Sequence, residues 1–375
     1  MEARIITDAR QWNDFVEISE CCNITQSYEW GELVPLLSVQ PMRVGVIDDD
    51  GKLCAAMLIL ISRAPIIQRT YFYSPRGPVI DDPSSPALAV LLDFVRAEAR
   101  KQGAFMLKVE PGVNDGNQDW LLALQKYGFR PVPYAVHIRD EWVLNIQPDE
   151  KEILAGMKEK WRYNIRLAGR KGVTVRRGQG QADFDAWYNI YITTSERDQF
   201  LINSKAFYEE VMRLFSQDDR FALFLAEYEG KPIAGIIVLR FGRWSWYMYG
   251  ASSNEQRNLM PNHLLQWNGM QWAKSHGCWY YNFRGIPHIL EEGQELWGVY
   301  VFKRGFGGYA IRSLETHDLV YQSLVYGVYM RMLEVKRRRD EKRQHRDTRQ
   351  FSQNGIVSSG GEKVAAPVEK QAGEG

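Results

Sequence analysis

The side chains able to do chemistry in this 375-residue chain do not form a familiar catalytic set. The six histidines, His137, His263, His276, His288, His317 and His345, show no HExxH or comparable spacing, so no metal site is expected. No Ser-His-Asp or Cys-His pattern suggests a covalent acyl intermediate. What the sequence does offer is cations and phenols in ordered runs. Lys158, Arg162, Arg166 and Arg170 recur at a spacing of four, with Trp161, Ile165 and Ala168 on a different face, which predicts a helix carrying a basic ridge. Such a ridge can neutralise phosphates, and the same pattern can serve as a plain solvated face. Trp246-Tyr247-Met248-Tyr249 reads as a strand, whose alternation would put Tyr247 and Tyr249 on one face and Trp246 and Met248 on the other. Lys303 precedes the glycine-rich stretch Gly305-Phe306-Gly307-Gly308, where a lone lysine is ordinarily just exposed.

These residues need a scaffold, and the sequence supplies one twice. Arg43 to Ile47 and Leu53 to Ser62 flank Asp48-Asp49-Asp50-Gly51-Lys52, the pattern of an antiparallel hairpin. A strand over 69–74 follows, then a helix over 86–103 with Leu88, Leu91, Leu92, Val95 and Ala99 at helical spacing, then a strand over 104–109. The second half repeats the order: strands over 222–228, 232–241 and 244–250, a helix over 261–276 and a strand over 279–283. The offset of about 175 residues is too long for a solenoid and suits a duplicated domain.

Composition agrees with two packed domains, at 45% hydrophobic and 25% charged residues. The longest apolar run, Leu53 to Ile61, is far short of the roughly 20 residues that cross a bilayer. Met1-Glu2-Ala3-Arg4 lacks a signal-peptide core, and the four cysteines lack CxxC spacing, so a reducing cytoplasm is the simplest setting. The net charge of +1 hides a basic segment, Lys336 to Arg349, with eight Lys or Arg against three Asp or Glu. It reads as a solvated helix end or as a contact for phosphates of RNA or anionic lipid. From about Ser352 the composition is that of a disordered tail.

Hairpin, strand, helix, strand resembles the acyl-CoA N-acyltransferase (GNAT) fold. In that fold a [QR]-x-x-G-x-[GA] turn at the central helix cradles the CoA pyrophosphate with free N–H groups. Here the place reads Gln256-Arg257-Asn258-Leu259-Met260-Pro261-Asn262, without either glycine, and Leu259 and Met260 should crowd a pyrophosphate. In the first half, Pro78 and Pro83 remove donors from the equivalent stretch. Acyl-CoA is therefore not the expected donor.

A doubled GNAT-like chain with a degenerate CoA turn is similar to the FemABX family of aminoacyl-tRNA-dependent transferases that extend the peptidoglycan stem peptide. Its motifs occur here in order: Gln26-Ser27-Tyr28-Glu29-Trp30-Gly31, the basic stretch Lys160 to Ala168, Thr194-Ser195-Glu196-Arg197, Trp246 to Ser252, Pro261-Asn262, Phe283-Arg284-Gly285-Ile286 and Tyr300-Val301-Phe302-Lys303. Each is weak alone, and their order is specific. Glu32 and Val34 stand where many members carry a lysine.

The resemblance implies an α/β (α+β) fold of two tandem GNAT-like domains, each a mixed, mostly antiparallel sheet flanked by helices. The expected units are 1–147 and 148–318, a C-terminal helix over 319–340 returning to the first domain, and a basic, then low-complexity tail over 341–375. It implies an amino acid moved from aminoacyl-tRNA to an amine of lipid II or UDP-MurNAc-pentapeptide, with no cofactor because the ester donor is already activated. Lys303 and Phe302 would be catalytic, Lys303 stabilising the oxyanion or holding a substrate phosphate. Arg197, Tyr247, Tyr249, Trp30 and Asn262 would bind the acceptor, and Lys158, Arg162, Arg166 and Arg170 the phosphates of tRNA or of a lipid-linked precursor. The expected location is the cytoplasm, with peripheral contact at the inner face of the membrane. The alternatives are a related transferase acting on another amine and a non-catalytic GNAT-like binding protein.

Overall fold

The computed structural model describes residues 1–64 and 66–339. The expected tail over 341–375 lies outside them. Two compact units are present among the described residues, one comprising Met1–Ala64 with Gln68–Tyr321, the other residues 66–67 with 322–339. In the second unit, residues 323–339 are helical.

The first unit holds both repeats, each with a seven-stranded sheet. In the first sheet the strands Glu2–Ile5, Gln40–Ile47, Leu53–Arg63 and Thr70–Arg76 run antiparallel in sequence order, and Met106–Pro111 is parallel to Thr70–Arg76. The helix Pro86–Lys101 makes that parallel crossover. Its start has Pro86 at the first turn behind the capping Ser85, whose hydroxyl accepts from Ala87 N. Leu88, Leu91, Leu92, Val95 and Ala99 form its buried stripe. The second sheet repeats the plan with Thr174–Arg177, Phe221–Tyr228, Lys231–Phe241, Trp244–Ser252 and Tyr280–Gly285, the helix Pro261–Ser275 making the crossover.

The two halves exchange their last strands. Asp140–Asn145, which precedes the expected boundary at 147, is inserted in the second sheet between Tyr280–Gly285 and Tyr309–Arg312. Reciprocally, His317–Val320 lies in the first sheet between Met106–Pro111 and Arg130–Pro131, so this strand makes the return to the first domain. A buried ion pair of 2.7 Å between Lys108 and Asp318 anchors it. The sheets thus assign 140–145 to the second domain and 317–320 to the first. Sequence periodicity shows that a segment is a strand without showing which sheet edge it will pair with.

The repeats differ at their parallel pair. In the first sheet, Phe72 to Arg76 stay paired with Leu107 to Pro111. In the second, pairing ends after Trp246 and Asn282, and the register of Tyr280–Gly285 against Asp140–Asn145 is broken between Asn282 and Gly285. The sheet opens there, leaving a gap that the first half lacks.

Candidate active site

Lys303 comes to this gap from the short helix Trp297–Arg304, which packs on the second core through Tyr300 and Phe302. Its side chain is buried, and Nζ donates a 2.5 Å hydrogen bond to the carbonyl of Gly285, where the register breaks. The helix end lies close because Gly305 has no Cβ: one built there would be 2.0 Å from the Trp161 ring. Trp161 Nε1 donates to the Phe302 carbonyl at 3.0 Å, locking the helix end carrying Lys303. Phe302 packs edge-on against His263 and Phe306. Burial and the nearby Lys160 push His263 down to about 4, so its ring is a neutral prop between Trp161 and Phe302.

Burial pulls the Lys303 ammonium down to about 7, assisted by the positive charge of Arg284 and opposed by Glu141. Glu141 arrives on the exchanged strand and accepts from Asn282 Nδ2 at 3.1 Å. It lies 4.0 Å from Arg76, which ends the parallel strand of the first half. Arg284 has φ of +69°, a left-handed conformation for a large side chain, fixed by its N–H donating to Asn282 Oδ1 at 2.6 Å. Its guanidinium has no hydrogen bond or ion pair among the described residues. Asn282 thus holds both the Glu141 carboxylate and the backbone that carries Arg284. A cavity of about 490 Å³ is lined by Arg76, Glu141 and Asn282 with Trp244, Trp246 and Tyr280 as an aromatic wall; Lys303 and Arg284 do not line it, and Glu141 and Asn282 are the residues it shares with their surroundings. A titratable amine with a carboxylate and an unpaired guanidinium in electrostatic reach is a group able to take and return a proton.

The FemAB family pattern matches residues 7–119, 125–230 and 224–333. The chain belongs to the FemAB family. It is 25% identical over 397 residues to the lipid II:glycine glycyltransferase of Staphylococcus saprophyticus, covering 88% of this chain and 95% of that protein. To the enzyme of the same name from Staphylococcus aureus MRSA252 it is 24% identical over 400 residues, covering 87% and 94%. Among solved structures, FemX superposes with a TM-score of 0.82 at 23% identity, covering 88% of this chain and 99% of FemX. The C-terminal domain of a putative lysylphosphatidylglycerol synthetase from Agrobacterium fabrum shares the fold at a TM-score of 0.56 and 12% identity, covering 88% and 95%. This FemAB protein is a transferase with tandem GNAT-like sheets.

The other expected site residues of this FemAB chain occupy several places. Tyr247 and Tyr249 do not share a face. A β-bulge sets Ile237 against Tyr249 and Val238 against Tyr247, so the strand gains one residue at Met248 and the alternation resets. Tyr247 joins the second core, whereas Tyr249 packs with Trp187, Tyr191 and Tyr208 on the opposite side. Burial pushes both phenols up, and for Tyr249 the positive charge of Arg284 opposes the rise. Tyr249 therefore lies within electrostatic reach of Arg284.

Arg197 is committed to protein partners. It forks onto Asp198 at 2.8 and 2.9 Å and reaches Ser252 O at 2.8 Å, Asn254 Oδ1 at 3.0 Å and Ser252 Oγ at 3.2 Å. All five N–H groups are used, clamping the end of the tyrosine strand. Trp30 is half-buried in the helix Tyr28–Leu33, against the first core. Asn262 is half-buried in the first turn of Pro261–Ser275, behind a turn whose Leu259 fills the second core.

The basic ridge is a helix, Glu159–Arg170, with Lys158 as its N-cap. Arg162 is turned inward, donating to Met157 O at 2.5 Å and Ala155 O at 3.1 Å. Arg166 and Arg170 are exposed, Arg170 over the Tyr163 ring. Sequence reasoning missed Glu141, Asn282 and Arg284 as site residues. For Arg284 the only signal was its place in the Phe283-Arg284-Gly285-Ile286 motif; for Glu141 there was none, since strand exchange brings it there.

Proposed function

We propose that this chain moves an amino acid from aminoacyl-tRNA to an amine of the stem peptide of a peptidoglycan precursor, lipid II or its UDP-linked counterpart. One observation carries the reading: a buried lysine poised near neutrality where the second sheet opens, in a chain whose FemAB relatives bear the name lipid II:glycine glycyltransferase. The donor ester needs no covalent enzyme intermediate and no cofactor. The attacking ammonium must lose two protons in all, one to water before attack and one from the nitrogen as the bond forms, and the ribose oxygen must gain one as it leaves.

A lysine near 7 suits both steps. The acceptor ammonium loses one proton to water, and as the free amine attacks the ester carbonyl, neutral Lys303 takes the second proton from that nitrogen. The resulting Lys303 ammonium faces the tetrahedral oxyanion and then returns the proton to the ribose oxygen as the C–O bond breaks. Glu141 steadies that ammonium, while Arg284 keeps the resting amine available. Arg166 and Arg170 offer exposed charge for the tRNA backbone, and Arg197 positions the Tyr249 strand. A lipid-linked acceptor would place the chain at the inner face of the cytoplasmic membrane.

The test incubates the purified chain with charged tRNA pools and either lipid II or UDP-MurNAc-pentapeptide, followed by mass spectrometry. A single amino-acid increment on one acceptor is expected, with glycine the first candidate by the relatives' names. Unchanged masses for both acceptors with every charged tRNA would overturn the reading.

A further inference from the structure

The helix over 323–339 leaves a face that the transfer chemistry does not use. Leu324, Val328, Met332 and Val335 are 88%, 55%, 41% and 45% exposed. At 3.6 residues per turn they fall within an arc of about 80°, one continuous apolar stripe along a helix of about 25 Å. The four side chains thus make one exposed apolar face of the helix. The stripe runs into cations: Arg331 and Lys336 border it, Arg339 lies along its line, and all three are exposed. Arg338 pairs with Glu334 at 2.5 Å, the one acid between Gln322 and Arg339.

Each half of this pattern excludes some occupants. An RNA backbone would use the cations and leave four exposed apolar side chains without a role. A second copy of the same helix would cover the apolar stripe, but packed parallel it would bring Arg331, Lys336 and Arg339 against their own equivalents, and packed antiparallel it would leave them without acidic partners, since Glu334 is the one acid and already pairs with Arg338. A bilayer carrying anionic headgroups satisfies both halves, because apolar side chains enter the acyl boundary while Lys and Arg stay among the phosphates.

We propose that the helix 323–339 is a membrane-surface anchor that lies flat on an anionic bilayer, apolar stripe inward. This deepens the reading of a lipid-linked acceptor, since the anchor would hold the transferase on the surface that displays it. Anchoring itself needs neither tRNA nor acceptor.

The full chain is sedimented with vesicles of phosphatidylcholine alone and with about one third phosphatidylglycerol, over a salt series, with no substrate present. Binding to the anionic vesicles and its weakening with salt are expected. A Leu324→Glu/Val328→Glu/Met332→Glu variant should lose at least tenfold in partitioning at every salt concentration. Reversing Arg331, Lys336 and Arg339 to Glu should cost about fivefold or more per site at low salt and less at high salt. Circular dichroism checks that both variants stay folded, and should one unfold, the other decides. The proposal falls if the native chain ignores anionic vesicles, or if neither folded variant weakens binding. It also falls if the stripe variant instead dissolves a dimer in sedimentation equilibrium, or if the charge variant loses binding to bulk tRNA with vesicle binding intact. Failure here leaves transfer to the soluble UDP-linked acceptor untouched, so the two readings fail separately.

Discussion

Replacing Lys303 with Met removes the titratable amine while keeping a long flexible side chain, and the structure fixes what should happen to activity and to stability. The displacement of Lys303 from 10.5 to about 7 is equivalent to an upper bound of about 5 kcal/mol against its charged form. The folded value lies below the unfolded one, so between pH 7 and 10.5 the unfolded chain binds more protons. Native stability should therefore rise with pH through that window and be at its lowest below pH 7. Lys303→Met abolishes this handicap and leaves the Gly285 carbonyl without its donor, at a cost of about 1–3 kcal/mol. The net expectation at pH 7 is a gain of at most about 2–4 kcal/mol, read as a melting temperature raised by a few degrees. Transfer should meanwhile drop by about 10²–10⁴-fold, the usual worth of a positioned acid–base group. In the native enzyme the kcat/KM profile should rise through an inflection near pH 7, a limb absent in the variant. Thermal melts across pH and single-turnover transfer from charged tRNA give both readouts. A variant that melts lower and retains activity within tenfold of wild type would refute the proton-transfer role.

The neighbours of Lys303 should move that inflection in opposite directions. Glu141→Gln removes a negative charge and should lower it, whereas Arg284→Met removes a positive charge and should raise it; matching shifts in the pH profile check the pair, and shifts of the same sign would contradict the electrostatic picture. Gly305→Ala drives a methyl into the Trp161 ring and should cost about 1–3 kcal/mol in denaturant melts. Trp161→Phe in the same chain should recover part of that loss by making room. Arg166→Glu with Arg170→Glu should weaken transfer at low salt and flatten its salt dependence by about two phosphate equivalents, whereas a plain solvated face would leave the slope unchanged.

Much of the scaffold was readable because it is local. The hairpins, the crossover helices over 86–101 and 261–275 and their flanking strands follow from hydrophobic period, turn residues and caps, each acting within about ten residues. The absence of glycines near Leu259 was equally legible, and Leu259 does fill the second core. The face of Tyr249 was not, because one inserted residue at Met248 reverses the alternation and leaves no mark in composition. Arg197 reads as an anion ligand by type, yet its fork is saturated by Asp198, Ser252 and Asn254, partners that only the folded turn brings near.

The sequence alone therefore determined the repeat and the family resemblance, and singled out the Phe302-Lys303 segment as a candidate site, since these rest on residue order along one strand or helix. Tertiary structure decided what Lys303 is. Its burial, the Gly285 carbonyl under its ammonium, the strained Arg284 beside it and Glu141 delivered by an exchanged strand all come from segments far apart in the chain. A lysine's proton affinity is set by its desolvation and by the charges around it, and both exist only once the two sheets have traded their strands.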